Sequence, residues 1–161
     1  MAIQFSLPEH AKCVEAITPQ AGAAITGDYV SLKTCHKCFI VVHINQANAA
    51  TVAITVEQAT AVAGTGTTAI TNVVPIWANE DCAASDTLVA QTAAVSFTTS
   101  AAVKHKTIIF EIDPATLNVA SGFDCITVKT GASNAANITS AMYYLTPLRY
   151  GQATPPATIT D

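Results

Sequence analysis

At 161 residues the chain fits one domain, and at that size roughly 70% of the unfolded surface can be buried without a metal or disulfide staple. Charged residues make up only 11% of it, against about 25% in an ordinary globular domain, and thirty alanines and twenty-three threonines fill much of the remainder. The net charge is -4 and no basic cluster exceeds Lys104-His105-Lys106, so the Lys/Arg patch that phosphate neutralisation requires is missing and no nucleic-acid partner is expected.

No apolar run reaches 18 residues, which excludes an ordinary transmembrane helix, and no membrane partner is expected. Met1-Ala2-Ile3-Gln4-Phe5 has neither a charged start nor a long apolar core, so a cytoplasmic rather than secretory origin is expected. Five cysteines, an odd number, fit reduced thiols better than a disulfide framework. With so little charge, the outer surface must consist largely of Ala, Thr, Ser and Asn. Such a surface suits packing against other protein, and a homo-oligomer, dimer or trimer, is expected.

In chain order, residues 1–27 read as an N-terminal arm. Residues 7–17 allow at most a short helix or turn, with Pro8 near its first turn and Pro19 ending it. A β-sandwich domain is expected over residues 28–151. Its central strand is Cys38-Phe39-Ile40-Val41-Val42-His43-Ile44, short, apolar and β-branched, which predicts cover on both faces. Residues 51–58 alternate, with Val52, Ile54 and Val56 on one side, as a half-buried antiparallel strand does. Gly64 and Gly66 mark a turn or loop. A strand over residues 69–77 contains Pro75, which removes a ladder donor and predicts an edge or a bulge.

Weaker strands are expected at 88–90 and 94–98, and a strong one at 106–112, stopped by Asp113-Pro114. In that pair Pro presets φ and Asp caps the following amides. Residues 125–129 and 141–145 supply two more strands. Residues 152–161, with Pro155-Pro156, read as an extended C-terminal tail. Eight or so short strands with little helix predict an all-β antiparallel sandwich, with jelly-roll or Greek-key connectivity open.

Motifs that carry chemistry are scarce. Cys35-His36-Lys37-Cys38 is a CxxC, half of a zinc site that Cys13, Cys82, Cys125 or a histidine would have to complete. A second CxxC is absent, and on a continuous strand Cys35 and Cys38 face opposite sides. Packed thiols are the expectation, with no metal and no cofactor. The histidines His10, His36, His43 and His105 form no HxH or HExxH pattern, and His43 reads as a core or interface residue. Glu111 and Asp113 share a strand face as a carboxylate pair does, although turn chemistry accounts for Asp113. No GxSxG, P-loop or GxGxxG occurs, and no catalytic residue is assigned. Tyr143, Tyr144, Tyr150 and Trp77 suit either a sugar platform or a subunit contact. The interface candidates are Ile3, Phe5 and Leu7 at the front, Ile159 at the back, and Trp77, Tyr143 and Tyr150 between them.

The run from Gly27-Asp28-Tyr29-Val30-Ser31-Leu32-Lys33 through the central strand resembles small structural proteins of tailed-bacteriophage virions. So do Val74-Pro75-Ile76-Trp77-Ala78-Asn79-Glu80, Phe110-Glu111-Ile112-Asp113-Pro114 and the ending from Arg149-Tyr150 to Pro155-Pro156. Within that class the chain is most similar to a head decoration, or cement, protein. The resemblance implies a compact β domain on the capsid surface of the virion, with the major capsid protein as partner. Cys35-His36-Lys37-Cys38 is no part of it. Another virion position (tail tube, head completion, fibre base), a carbohydrate-binding sandwich and a small hydrolase are the competing expectations.

Overall fold

The computed structural model describes residues 7–148, and almost all of their regular structure is β. Two antiparallel sheets pack face to face, so the fold is an all-β sandwich. The first sheet has six strands. In spatial order they are β1 (Lys12–Ala21), β12 (Ile138–Leu148), β4 (Cys35–Asn45), β10 (His105–Ile112), β7 (Val74–Asn79) and β8 (Val89–Ala94). The second runs β2 (Ile25–Thr26), β11 (Cys125–Thr130), β5 (Ala53–Ala59) and β6 (Thr68–Ala69). Two short strands join it, β3 (Val30–Ser31) on β11 and β9 (Ser96–Thr98) on β5.

The pairings nest. β1 pairs with β12, β2 and β3 with β11, β4 with β10, and β5 with β9. Strands paired first with last and inward from there describe one long hairpin rolled on itself, which is jelly-roll connectivity. Between β5 and β9 the chain inserts the β7–β8 hairpin. This hairpin docks on β10 and widens the first sheet beyond the rolled core.

β4 lies inside the first sheet, as its apolar run predicts, but only one of its faces is core. Cys38, Ile40, Val42 and Ile44 are fully buried, whereas Phe39 and Val41 are half-buried and His43 is exposed. The opposing layer covers one side of a sandwich sheet, so the outward row of β4 meets solvent and its own neighbours. Val56 and Ile54 of β5, Phe110 of β10 and Val128 of β11 fill the same interior.

The front of the chain departs most from expectation. Only Leu7–His10 is helical (α1), and residues 12–21 of the expected arm are β1, which pairs with β12 over its whole length. Ala16 and Ile17 are buried in the core. Pro19 does not end a helix. It sits on an edge strand, exposed and beside a register shift, where a missing amide donor costs little. Pro75 is also at a register shift, between Val74 and Ile76 in the β7–β8 ladder, so its strand starts at Val74 and the bulge absorbs the proline. Asp113 caps the 3₁₀ turn Pro114–Thr116, its carboxylate accepting from the Ala115 amide at 2.8 Å. The tail and the residues before Leu7 lie outside the described residues, with Ile3, Phe5, Tyr150 and Ile159 among them.

Candidate functional site

The outer face of the first sheet spans six strands. The ladder registers place Met142, Val41, Ile109, Trp77 and Ala90 in one row across β12, β4, β10, β7 and β8. Glu15 of β1 stands opposite Met142 and ends that row with the charge nearest to it on the β1 side. In the adjoining row Cys13, Tyr144, Phe39 and Glu111 follow one another across the sheet. These side chains share a face because antiparallel partners point to the same side. The face is apolar at its centre and sparsely charged.

Glu111 organises one end of it. Its carboxylate accepts from the Trp77 indole Nε1 at 2.8 Å and from the Lys37 ammonium at 3.0 Å. Lys37 also lies over the Phe39 ring, 5.7 Å from its centroid. Trp77 is thereby tied to the neighbouring strand β10 and remains 37% exposed. At the other end His43 and His105 stack with centroids 6.4 Å apart. The His43 Nδ1 lies 3.3 Å from the Thr107 hydroxyl, which in turn lies 3.5 Å from the Cys82 thiol. His43 is therefore a surface residue, not a core one. Among the described residues no group of three His, Cys, Asp or Glu side chains can hold a metal ion.

Other sequence candidates separate in space. Tyr143 is fully buried. Its hydroxyl donates to the Asp28 carbonyl at 2.8 Å and accepts from the Val128 amide at 3.0 Å, and burial pushes its pKa well up. It ties the two sheets together and offers nothing to a partner, so its assignment as an interface residue is corrected. The sugar platform loses the same ring. Leu7 is 43% exposed on α1. Cys35 and Cys38 are both enclosed. Cys38 belongs to the inward row of β4, where burial, and then the nearby Cys35, raise its thiol pKa. Cys35 has the other parity and is covered by the turn before the strand, its thiol 3.6 Å from the Leu32 carbonyl. Asp113 is absorbed by its cap, and Glu111 by Trp77 and Lys37. The two do not act as a carboxylate pair.

Sequence reasoning missed two features. One is an open cleft of about 210 Å³ at the end of the sandwich, lined by Leu32, Pro114, Leu117, Val119 and Phe123. Among the described residues that line it, the charged pair Lys33 and Asp124 are bonded to each other at 2.7 Å. Its size falls below the usual range for small-molecule sites, about 300–1,000 Å³. The other is Lys106, fully buried in β10, whose ammonium donates to the Ser100 carbonyl at 2.7 Å and its hydroxyl at 3.0 Å. Desolvation lowers its pKa, and Glu80 partly offsets this. The carboxylate of Glu80 in turn accepts from the Ser100 amide at 2.7 Å. Gln46 donates to the same Ser100 carbonyl and accepts from the Thr99 hydroxyl, both at 2.8 Å. This network closes the loop before β10. The sequence signal was the even position of Lys106 in an alternating strand, in register with the inward Ile108, Phe110 and Ile112.

No family model matches the sequence, and no curated protein matches it. Among solved structures, the crystal structure of SPBc2 prophage-derived protein YomS aligns over 91% of this chain and 99% of that one, with 10% identity and a TM-score of 0.49. A likeness at that level carries no weight for fold or function. No helix among the described residues is long and apolar enough to cross a membrane.

Proposed function

We propose that this is a non-enzymatic structural protein of a tailed-phage virion that decorates the capsid surface and binds the lattice of the major capsid protein. The observation that carries the reading is the broad, charge-poor outer face of the first sheet. Its row from Met142 through Val41 and Ile109 to Trp77 lies across four strands, and among the described residues no second layer packs on it. A clamp on a protein lattice needs such an extended, weakly charged surface. A catalytic site needs instead a pocket with convergent polar groups. The resemblance to small virion structural proteins, read over most of the chain from about Gly27 onward, supports the same reading. In this reading the protein works as a homo-oligomer, needs no cofactor and resides on the virion.

The test is mass spectrometry of purified particles with copy-number measurement. Hundreds of copies per particle are expected. A handful of copies places the protein at a tail, head-completion or fibre-base position, and its absence from particles overturns the reading.

A further inference from the structure

Within the oligomer of the reading above, we propose that β8 is the interface strand, pairing antiparallel with β8 of a second copy about a two-fold axis perpendicular to the first sheet. The two edges of that sheet are built differently. Edge β1 carries Lys12, Glu15 and Pro19 and is broken by two register shifts. Charge, proline and bulges are the means by which edge strands discourage pairing with other chains. Edge β8, Val-Ala-Gln-Thr-Ala-Ala, carries no charge and no proline. Its one irregularity lies toward its end, opposite Pro75, and leaves the ladder from Val89 to Gln91 regular against Ala78, Trp77 and Ile76. Half of the peptide groups on such an edge have no partner strand.

The second observation is independent of the ladder. Val73, Trp77, Leu88 and Val89 are all large apolar side chains with 37% to 60% exposure, and all lie on or beside the β7–β8 hairpin. The nesting explains this. The second sheet covers β7, whose Val74, Ile76 and Ala78 are core residues, but not β8 beyond it, so Val89 remains 56% exposed although its cross-strand partner Ala78 is buried. β8 is thus an uncovered margin strand flanked by exposed apolar side chains, with no partner strand on its outer edge among the described residues.

The occupant follows from charge and symmetry. A two-fold perpendicular to the sheet keeps the same face outward in both copies, so residues of equal parity meet and the axis passes beside Val89 or Ala90. Every side chain then lies opposite or diagonal to its own kind or a near neighbour, where like charges repel. A strand without charge is the type that can pair with itself, and from Thr87 to Val103 the chain has no charged residue at all. The pairing would join two six-stranded sheets and bring the exposed Val89 side chains together.

Sedimentation of the full chain and of two variants, Val89→Lys and Val89→Glu, tests this. The wild type is expected to be a dimer at micromolar concentration. Each variant alone should weaken association at least 10-fold, and an equimolar mixture should recover dimer as a Lys–Glu heterodimer. Gln20→Lys on the β1 edge should leave the dimer intact, and far-UV circular dichroism should show all variants folded. A wild-type monomer at 100 μM overturns both this interface and the oligomer it serves. A dimer indifferent to Val89→Lys leaves the oligomer but overturns the β8 interface. Loss of assembly in both variants with no recovery on mixing shows that β8 receives some other segment, and overturns the two-fold pairing.

Discussion

Tyr143 shows how a single residue can be misjudged from sequence and why. Its neighbour Tyr144 has the same composition and the opposite fate, because consecutive residues of a strand point to opposite faces. Tyr144 stays half-buried on the outer face, while Tyr143 enters the core and bonds the backbone of the facing layer at Val128 and of the loop at Asp28. Replacing Tyr143 by Phe keeps the ring and strands a buried amide and a carbonyl. A loss of about 1–3 kcal/mol in urea denaturation is expected, and an unchanged midpoint would show that the hydroxyl is dispensable.

Cys125 sets a second expectation at this scale. Desolvation, and then the adjacent Asp124 carboxylate, raise its thiol from 9.0 to about 12. A group whose folded pKa exceeds its unfolded value stabilises fully below the unfolded pKa and loses that contribution as pH rises through the folded one. Stability should therefore fall between pH 9 and pH 12, and Cys125→Ala should flatten that limb relative to wild type in thermal melts taken across the range.

At the scale of elements, β1 is the instructive case. Its apolar residues do not alternate cleanly, since Ala16 and Ile17 are adjacent and both buried around a register shift. A period-2 reading fails where a bulge inserts a residue, and the proline then invites a helix-ending interpretation. Ile17→Ala tests whether β1 is structural. In the core it should cost about 2–5 kcal/mol, read as a shift in denaturation midpoint, whereas on a detached arm it would cost nothing. Strands β4, β5 and β10 were legible because their buried residues alternate with outward ones, and β11 because it is a short run of buried, largely β-branched residues.

The whole molecule is held by its nested ladders and one continuous interior, so no single local motif should govern its folding. Cys35 and Cys38 are packed thiols in that interior. Changing either to Ser should cost about 1–3 kcal/mol, and a chelator should leave the melting temperature of the wild type unchanged. Stoichiometric zinc with unfolding on chelation would reverse this account of the CxxC. The low charge count also belongs to this scale. The outer face of the first sheet and the β8 edge, both charge-poor, lie on the same six-stranded layer.

The sequence by itself determined the class of fold, the central place of β4, the Asp113-Pro114 stop and the charge-poor character of the surface. Each rests on local information: strand period, turn chemistry or composition. Tertiary structure alone decided that β1 joins the sheet, that Tyr143 points inward and Trp77 outward, and that β8 lies beyond the cover of the second layer. Those outcomes depend on which strands lie beside each other and how far each sheet covers the other. Such pairings join residues as distant as Lys12 and Leu145, and no window along the chain contains both.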